Sequence, residues 1–325
     1  MEKLKEKIAP DVYENLLKGN TNIITNHLKI ESFEANIASP SAIFSHTKTE
    51  LMQMTDLDSN CVEEVLKESA NIVLSGKIGT AHQMPKWHRI STGCSAIDAI
   101  TRGGIAVNRI SEIVGYAGVG KTQLCLQLSL MAQLPISLGG LGKSVVYLCT
   151  EDAFPIKRLK DLAITYSLKY HDLGINFEDN IFIEHLADVE QLKKCLSNSL
   201  TKLLLVKNVG LVVIDSIAGI FRSETLDVNY KNRNQDFILI VTLLNKLAKK
   251  YGFAVVCVNQ VTDNPTTNVT EPCLGLAWSN CLTYRFNINR FVNTKVREFE
   301  VVFAPDLSNQ TCKFTITGEG LRPVA

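Results

Sequence analysis

The sequence predicts an α/β protein: a mainly parallel sheet flanked by helices, preceded by a small all-α N-terminal domain. Three observations predict it. From about residue 89 onward, short apolar runs alternate with stretches of helical periodicity, the pattern of a parallel sheet covered on both faces. Before residue 75 the apolar residues recur at helical spacing. Between the two, SGKIGTAHQMPKWH has glycines, a proline and no periodicity. The expected organisation is a helical domain over 1–75, a linker over 76–88 and an α/β domain over 89–325.

The elements follow in order. Thr47 and Glu50 bracket a capping box ahead of Leu51 and Met54, which opens a first helix. DLDSN makes a turn, and a second helix runs from about Cys61 to Leu74 with Val62, Val65, Leu66 and Val73 apolar. Two short helices on a tight turn fit a DNA-reading hairpin and a small packing or docking module alike, and the turn lacks glycines that would let backbone approach a phosphate. Strands are expected at Arg109–Val114, Ser144–Cys149, Ile181–Glu184, Gly210–Ile214 and Ala254–Val258. Cys281 to Ile316 carries four shorter β-rich runs, expected to extend the sheet with antiparallel strands.

Composition narrows the function classes. The chain has 325 residues, room for one large domain and a small one. At 46% hydrophobic and 21% charged it has the balance of a soluble globular protein. The formal net charge of +1 argues against nucleic-acid binding driven by bulk charge, so any DNA contact must come from local patches or partners. Nine dispersed cysteines with neither a C-x-x-C pair nor zinc spacing read as reduced thiols of the cytosol or nucleus. MEKLKEKIAP lacks the apolar core of a secretory leader, and no apolar run approaches the ~18 residues of a membrane span.

EIVGYAGVGKTQLCLQ carries the strongest chemical signal. Gly115, Gly120, Lys121 and Thr122 fit G-x-x-x-x-G-K-[ST], between an apolar strand and a helix on which Leu124, Leu128 and Met131 recur at helical spacing. Backbone N–H groups of such a loop wrap phosphates, the lysine reaches the outer phosphates, and the hydroxyl holds Mg2+. The helix N-terminus adds the positive end of its dipole. The expected site comprises Gly115, Tyr116, Ala117, Gly118, Val119, Gly120, Lys121, Thr122 and Gln123, with ATP and Mg2+ as cofactors.

Three later strand ends add to it. LVVIDS puts Asp215 at the end of a buried strand, where open α/β sheets bind ligands and a carboxylate can hold Mg2+. A plain strand-ending aspartate is the alternative. YLCTEDAFP ends another strand with Glu151 and Asp152. Hydrolysis of ATP needs a group to position or deprotonate water, while the helix starting near Pro155 needs a cap, so Glu151 is assigned to chemistry and Asp152 to capping. AVVCVNQV ends a further strand with Asn259 and Gln260, a neutral amide able to sense a γ-phosphate, or a simple strand terminus.

In this order the elements resemble the RecA-like recombinases of eukaryotes and archaea. STGCSAIDAITRGGIAVNRISEIVGYAGVGKTQLCLQ looks like that family's entry into its P-loop ATPase core, and CTEDAFPIKRL, IFIEHLADVEQL, LVVIDSIAGIFRSE and VNQVTD follow in register. The resemblance covers about residues 88 to 320 and points to a recombinase paralogue. It implies that Lys121 and Thr122 serve phosphate and Mg2+, Asp215 the metal and Glu151 the water. By position, Arg158 stacks on adenine and Gln260 couples ATP to a DNA-binding loop. A first DNA-binding loop, roughly 222 to 236, carries Arg222, Lys231 and Arg233. Ile78 to Ala81 lies where the family carries Phe-x-x-Ala, a segment docking on a neighbouring subunit. Ile78 and Ala81 then serve docking or local packing alike.

Two departures matter. The second DNA-binding loop, about 261 to 274, has no Lys or Arg, although phosphate neutralisation supplies most non-specific DNA affinity. The family presents an acidic residue just before a proline to the neighbour's ATP, where this chain has Ala304 before Pro305. The expectation is an ATP-binding paralogue of homologous-recombination repair in the nucleus, also compatible with the cytoplasm. It pairs with another recombinase paralogue as a heterodimer, loads or stabilises the strand-exchange filament, binds single-stranded or branched DNA weakly alone, hydrolyses ATP slowly and binds no membrane. A self-assembling DNA-dependent ATPase performing strand exchange, or a nucleotide-binding scaffold without turnover, are the alternatives.

Overall fold

The computed structural model describes residues 40–74, 88–151, 153–221, 230–263 and 270–324, with residues 6, 8, 10 and 12. The chain divides into two compact units, Met1–Lys86 and Trp87–Ala325. In the first, α1 spans Lys48–Thr55 and α2 spans Ser59–Leu74. The capping box forms in both directions: Glu50 N donates to Thr47 Oγ1 at 3.3 Å, and Thr47 N donates to Glu50 Oε2 at 2.7 Å. The left-handed Asp56 ends α1. Asp58 Oδ1 accepts from Cys61 N at 2.7 Å, so α2 opens at Ser59, ahead of Cys61. Leu51, Val62 and Val65 close a small core with Ile8, Val12 and Ile43. The segment expected as a linker lies outside the described residues apart from His88, and so do Ile78 and Ala81.

The second unit runs β1 (Arg89–Ile90), α3 (Ser95–Ile100), β2 (Ile105–Ala106), β3 (Ile110–Val114), α4 (Lys121–Met131), β4 (Ser144–Cys149), α5 (Ile156–Lys169), β5 (Ile181–His185), α6 (Val189–Lys194), α7 (Leu200–Val206), β6 (Val209–Asp215) and α8 (Ile217–Ile220). It continues with α9 (Tyr230–Tyr251), β7 (Ala254–Asn259), β8 (Val261–Asp263), β9 (Thr270–Pro272), α10 (Gly275–Ser279), β10 (Tyr284–Arg290), β11 (Val296–Phe303), β12 (Thr311–Thr317) and β13 (Gly320–Pro323). Nine strands form one sheet in the order β13-β12-β11-β10-β3-β7-β6-β4-β5.

The set from β10 to β5 is parallel, and β11, β12 and β13 extend it antiparallel. The four C-terminal runs thus join the sheet as expected, except that the first of them pairs parallel to β3. The long connection from β7, which includes α10, brings the chain back to the same end of the sheet, as a parallel pairing requires.

The continuous apolar runs are explained by burial on both faces. Val145, Tyr147 and Cys149 point into one core with Leu124 and Leu128 of α4 and Leu159 and Leu162 of α5. Val146 and Leu148 alternate into the opposite core with Leu192 of α6 and Phe237, Ile240 and Leu244 of α9. Side chains buried on both faces leave the ends of these strands as the place for polar chemistry. The stretch 261–274, expected as a loop, contains a short antiparallel ladder of β8 and β9 pairing Val261 with Pro272, Thr262 with Glu271 and Asp263 with Thr270. Its β-branched residues favour that pairing, and Cys273 N donates to Gln260 O at 2.8 Å at its base.

Candidate nucleotide site

The phosphate loop leaves β3 at Val114, and α4 starts at Lys121. Its glycines answer two constraints. A Cβ on Gly115 would stand 2.3 Å from the Ile288 carbonyl oxygen of β10. Gly120 has φ 113, and a Cβ there would stand 2.4 Å from Ile316 Cδ1. The loop is therefore pressed onto β10 and β12, with its other side free to face a ligand.

Lys121 is only 8% exposed. Its ammonium donates to the carbonyls of Gly115 at 2.7 Å and Tyr116 at 2.8 Å, so it lies inside the curl of the loop. Burial pushes its pKa below the usual lysine range, and the nearby Asp215 and Glu151 carboxylates push back. A buried cation among loop carbonyls fits an anionic group that would complete its charge balance, so the residues present fit a nucleotide polyphosphate.

Thr122, first in line behind the lysine, donates from Oγ1 to Asp215 Oδ2 at 2.8 Å. The hydroxyl and the carboxylate, 93 residues apart in sequence, thus form one oxygen-rich pair of the kind that suits Mg2+. Tyr147 OH donates to the same Oδ2 at 2.7 Å. Burial and the adjacent Asp215 raise the Tyr147 phenol well above its ordinary pKa, so it stays a neutral donor orienting the carboxylate. Sequence reasoning missed Tyr147. The available signal was a tyrosine in an otherwise aliphatic buried run, whose hydroxyl needs a partner. Thr122, Tyr147, Cys149, Glu151, Phe154 and Asp215 line a cavity of about 230 Å³.

Glu151 stands at the end of β4 with an exposed carboxylate. Gln260, at the end of β7, donates from Nε2 to Oε1 at 3.1 Å and to Oε2 at 3.0 Å. Helix α5 opens after Pro155, whose own side chain makes no cap bond, and Asp152 lies outside the described residues. Arg158 in α5 is held flat by three bonds, from Nε to Gln123 Oε1 at 2.8 Å, Nη1 to Gly318 O at 2.8 Å and Nη2 to Thr317 O at 2.7 Å.

Of the three expected DNA-facing residues, Arg233 has a described side chain. Arg222 and the side chain of Lys231 lie outside the described residues. The Arg233 guanidinium lies 5.6 Å over the rings of both Phe221 and Phe237, with Nε buried. The acidic residue near Pro305 is turned inward: Asp306 follows the proline, pairs with Arg89 Nη2 at 2.5 Å and accepts from Tyr284 OH at 2.8 Å.

A second cluster lies beneath the site and was also missed. Glu112 in β3 is fully buried. Its Oε1 accepts from Asn259 Nδ2 at 2.8 Å and Trp278 Nε1 at 2.7 Å, and its Oε2 pairs with Arg285 Nε. Arg285 Nη2 donates to Ser279 Oγ at 2.8 Å, and Asn259 Nδ2 also donates to Cys273 O at 2.8 Å. This centre ties the strand that carries the phosphate loop to both flanks of the β8–β9 ladder.

The Rad51 family pattern matches residues 84–324. The chain belongs to the Rad51 family. That family is one of nucleotide-binding RecA-like ATPases, and the parallel sheet with the loop at the end of β3 is its fold. The chain is 35% identical over 316 residues to DNA repair protein XRCC3 of Bos taurus, covering 89% of this chain and 93% of that protein. It is 35% identical over 288 residues to the DNA repair protein XRCC3 homolog of Arabidopsis thaliana, covering 73% of this chain and 93% of that one. DNA repair protein RAD51 homolog 2 of Mus musculus follows at 29% over 313 residues, covering 84% and 87%. The stretches YLCTEDAFPIKRL, IFIEHLADVE and GLAWSNCL point to one paralogue within the family, X-ray repair cross-complementing protein 3, and these relatives bear that likeness out. No described helix is long and apolar enough to cross a membrane.

Proposed function

We propose that the protein is an ATP-binding recombinase paralogue of homologous-recombination repair in the nucleus, which pairs with another paralogue and helps load or stabilise the strand-exchange filament. The observation that supports the nucleotide role is the Lys121, Thr122 and Asp215 cluster at one rim of the sheet. In it Lys121 binds the outer phosphates of ATP, and Thr122 and Asp215 hold Mg2+. The bound nucleotide supplies the phosphoanhydride to be split, and Mg2+ balances the charge on its oxygens. Glu151 takes up or orients the attacking water's proton at its carboxylate, and Gln260, bonded to Glu151, passes the state of that carboxylate to the 261–274 stretch. Arg158 offers its fixed plane to the adenine, and Arg222, Lys231 and Arg233 meet DNA.

Glu151→Gln is expected to leave ATP binding within a few-fold of wild type and to slow phosphate release by the roughly 10²–10⁴ that a positioned base contributes. An amide keeps the shape and can still accept from Gln260, yet it is a poor base. Turnover at the wild-type rate in the partnered protein would remove Glu151 from the chemistry.

Assembly, rather than autonomous strand exchange, is favoured by the charge of the DNA-facing segments. With no cation in 261–274 and Arg222, Lys231 and Arg233 as the contacts, the log–log salt slope on single-stranded DNA is expected near −2, from ~0.7 per phosphate. Binding of the chain alone should be weak at physiological salt and should strengthen when a paralogue partner is added. Fluorescence anisotropy against salt, with and without the partner, reads both. Nanomolar binding by the lone chain together with long ATP-dependent filaments in electron micrographs would overturn the mediator reading in favour of a self-assembling strand-exchange ATPase.

A further inference from the structure

We propose that Tyr116 is a positioning residue that links nucleotide binding to the β8–β9 ladder by a route separate from Gln260. The inference rests on the reading of the phosphate loop as an ATP site.

Tyr116 is the second residue of that loop and is held at two ends. Its backbone carbonyl accepts from Lys121 Nζ at 2.8 Å. Its side chain, although 49% exposed, reaches across to the ladder. The phenol oxygen is 2.7 Å from Thr270 Oγ1 and 3.3 Å from Asp263 Oδ1, and Thr270 Oγ1 donates to Asp263 Oδ1 at 2.7 Å. The three oxygens form a closed set in which the Asp263 carboxylate accepts from the phenol and from the threonine hydroxyl, and the phenol and threonine hydroxyls bond to each other. Asp263 and Thr270 are a facing pair at the end of the ladder remote from its base, so one phenol bridges both strands.

The two ends of the ladder are held differently. Its base is fixed to the buried centre, through Asn259 to Glu112 and to Cys273 O, and through Cys273 N to Gln260 O. The far end is tied to the phosphate loop by Tyr116. Beside it, Tyr116, Thr270, Pro272, Arg285, Asn287 and Glu300 line a cavity of about 400 Å³, which leaves room for the ring and the ladder to move together. Phosphates entering the loop compete for the Lys121 ammonium. As it turns to them it gives up the Tyr116 carbonyl, releasing the backbone end of the same residue whose hydroxyl holds the ladder. The Gln260 route starts instead from the Glu151 carboxylate, at a different strand end.

The test places the substitutions on the ladder. Hydrogen exchange of the amides of Val261–Asp263 and Thr270–Pro272 is measured in the full chain with and without ATP and Mg2+, beside a nucleotide titration. In the wild type, nucleotide is expected to change exchange in the ladder by at least about threefold. In Thr270→Val and Asp263→Asn, nucleotide affinity is expected to stay within about twofold of wild type while that response falls below half. Tyr116→Phe combined with Thr270→Val, which also removes the phenol's direct bond to Asp263, should lose at least as much of the response as Thr270→Val alone and less than the sum of the two single losses, as expected of coupled residues. Gln260→Ala should keep most of the ladder response.

A purely structural tyrosine would shift exchange equally with and without nucleotide, and that result would overturn the proposal. So would a full response in Thr270→Val, or a wild type that binds ATP with an unchanged ladder. A wild type that binds no ATP would overturn the nucleotide reading as well.

Discussion

Lys121→Ala is expected to reduce ATP affinity by tenfold to more than a hundredfold. The ammonium is buried in the loop, where its bonds to Gly115 and Tyr116 carbonyls would be exchanged for charge-assisted bonds to phosphate oxygens. Bonds to charged groups are worth about 1.5–3 kcal/mol each, and about 1.4 kcal/mol is a factor of ten in affinity. One such bond, net of the carbonyl bonds surrendered, accounts for the lower bound, and two for the upper. The mutant loop also loses the positive charge that opposes Asp215 and Glu151, which adds to the loss for an anionic ligand. A fluorescent-nucleotide titration reads the effect. Affinity within twofold of wild type would remove the basis for the whole site.

Glu112→Ala is expected to destabilise the Trp87–Ala325 unit by about 3–5 kcal/mol, the cost of stranding one member of a buried ion pair. Arg285 would keep its charge in the interior with, among the described residues, Ser279 Oγ as its side-chain acceptor. Trp278 Nε1 would lose its acceptor, and Asn259 Nδ2 would keep Cys273 O. Against a typical domain stability of roughly 5–15 kcal/mol this is a large fraction. Glu112→Gln should cost less, since an amide oxygen can still accept from Trp278 and Asn259 while the charge attraction to Arg285 is lost. Urea unfolding of the two variants beside wild type measures the order. A change below about 1 kcal/mol in Glu112→Ala would mean that water or rearrangement satisfies Arg285, and that the centre does not anchor the ladder.

These two residues also show how far reading the chain alone can go. Lys121 was legible because its chemistry is local. A glycine-rich turn, a lysine and a hydroxyl within eight residues of a strand end have one common use, and the spacing alone states it. The sheet was legible for a similar reason. A strand buried on both faces must be apolar throughout, so Ser144–Cys149 and Ala254–Val258 declare themselves within a residue of their observed limits. Asp215 and Glu151 were reachable because each ends such a run. The exposed edge of the fold was less clear. β8 and β9 are three residues each, too short for alternation to separate them from a loop.

Glu112 and Tyr147 were not legible as anything but strand residues. A carboxylate in the middle of ISEIV carries no local sign of its partners, which come from residues 259, 278 and 285. The same holds for Tyr116, whose side chain finds Asp263 and Thr270 about 150 positions away.

By itself, then, the order of residues determined the α/β class, the phosphate loop that leads into Thr122, and the strand ends that carry Glu151, Asp215 and Gln260, because each of these follows from periodicity or from spacing along a few neighbouring residues. Only the tertiary structure decided which of them touch: the Thr122–Asp215 bond under the Tyr147 hydroxyl, the Glu151–Gln260 pair, the Arg285 charge closed on Glu112, and the Tyr116 tie to the ladder. The physical reason is range. Backbone preference and amphipathic period act over a few residues, whereas a buried hydrogen bond or ion pair requires two groups within about 3 Å, and only the lateral order of the strands brings groups so distant in sequence to that separation.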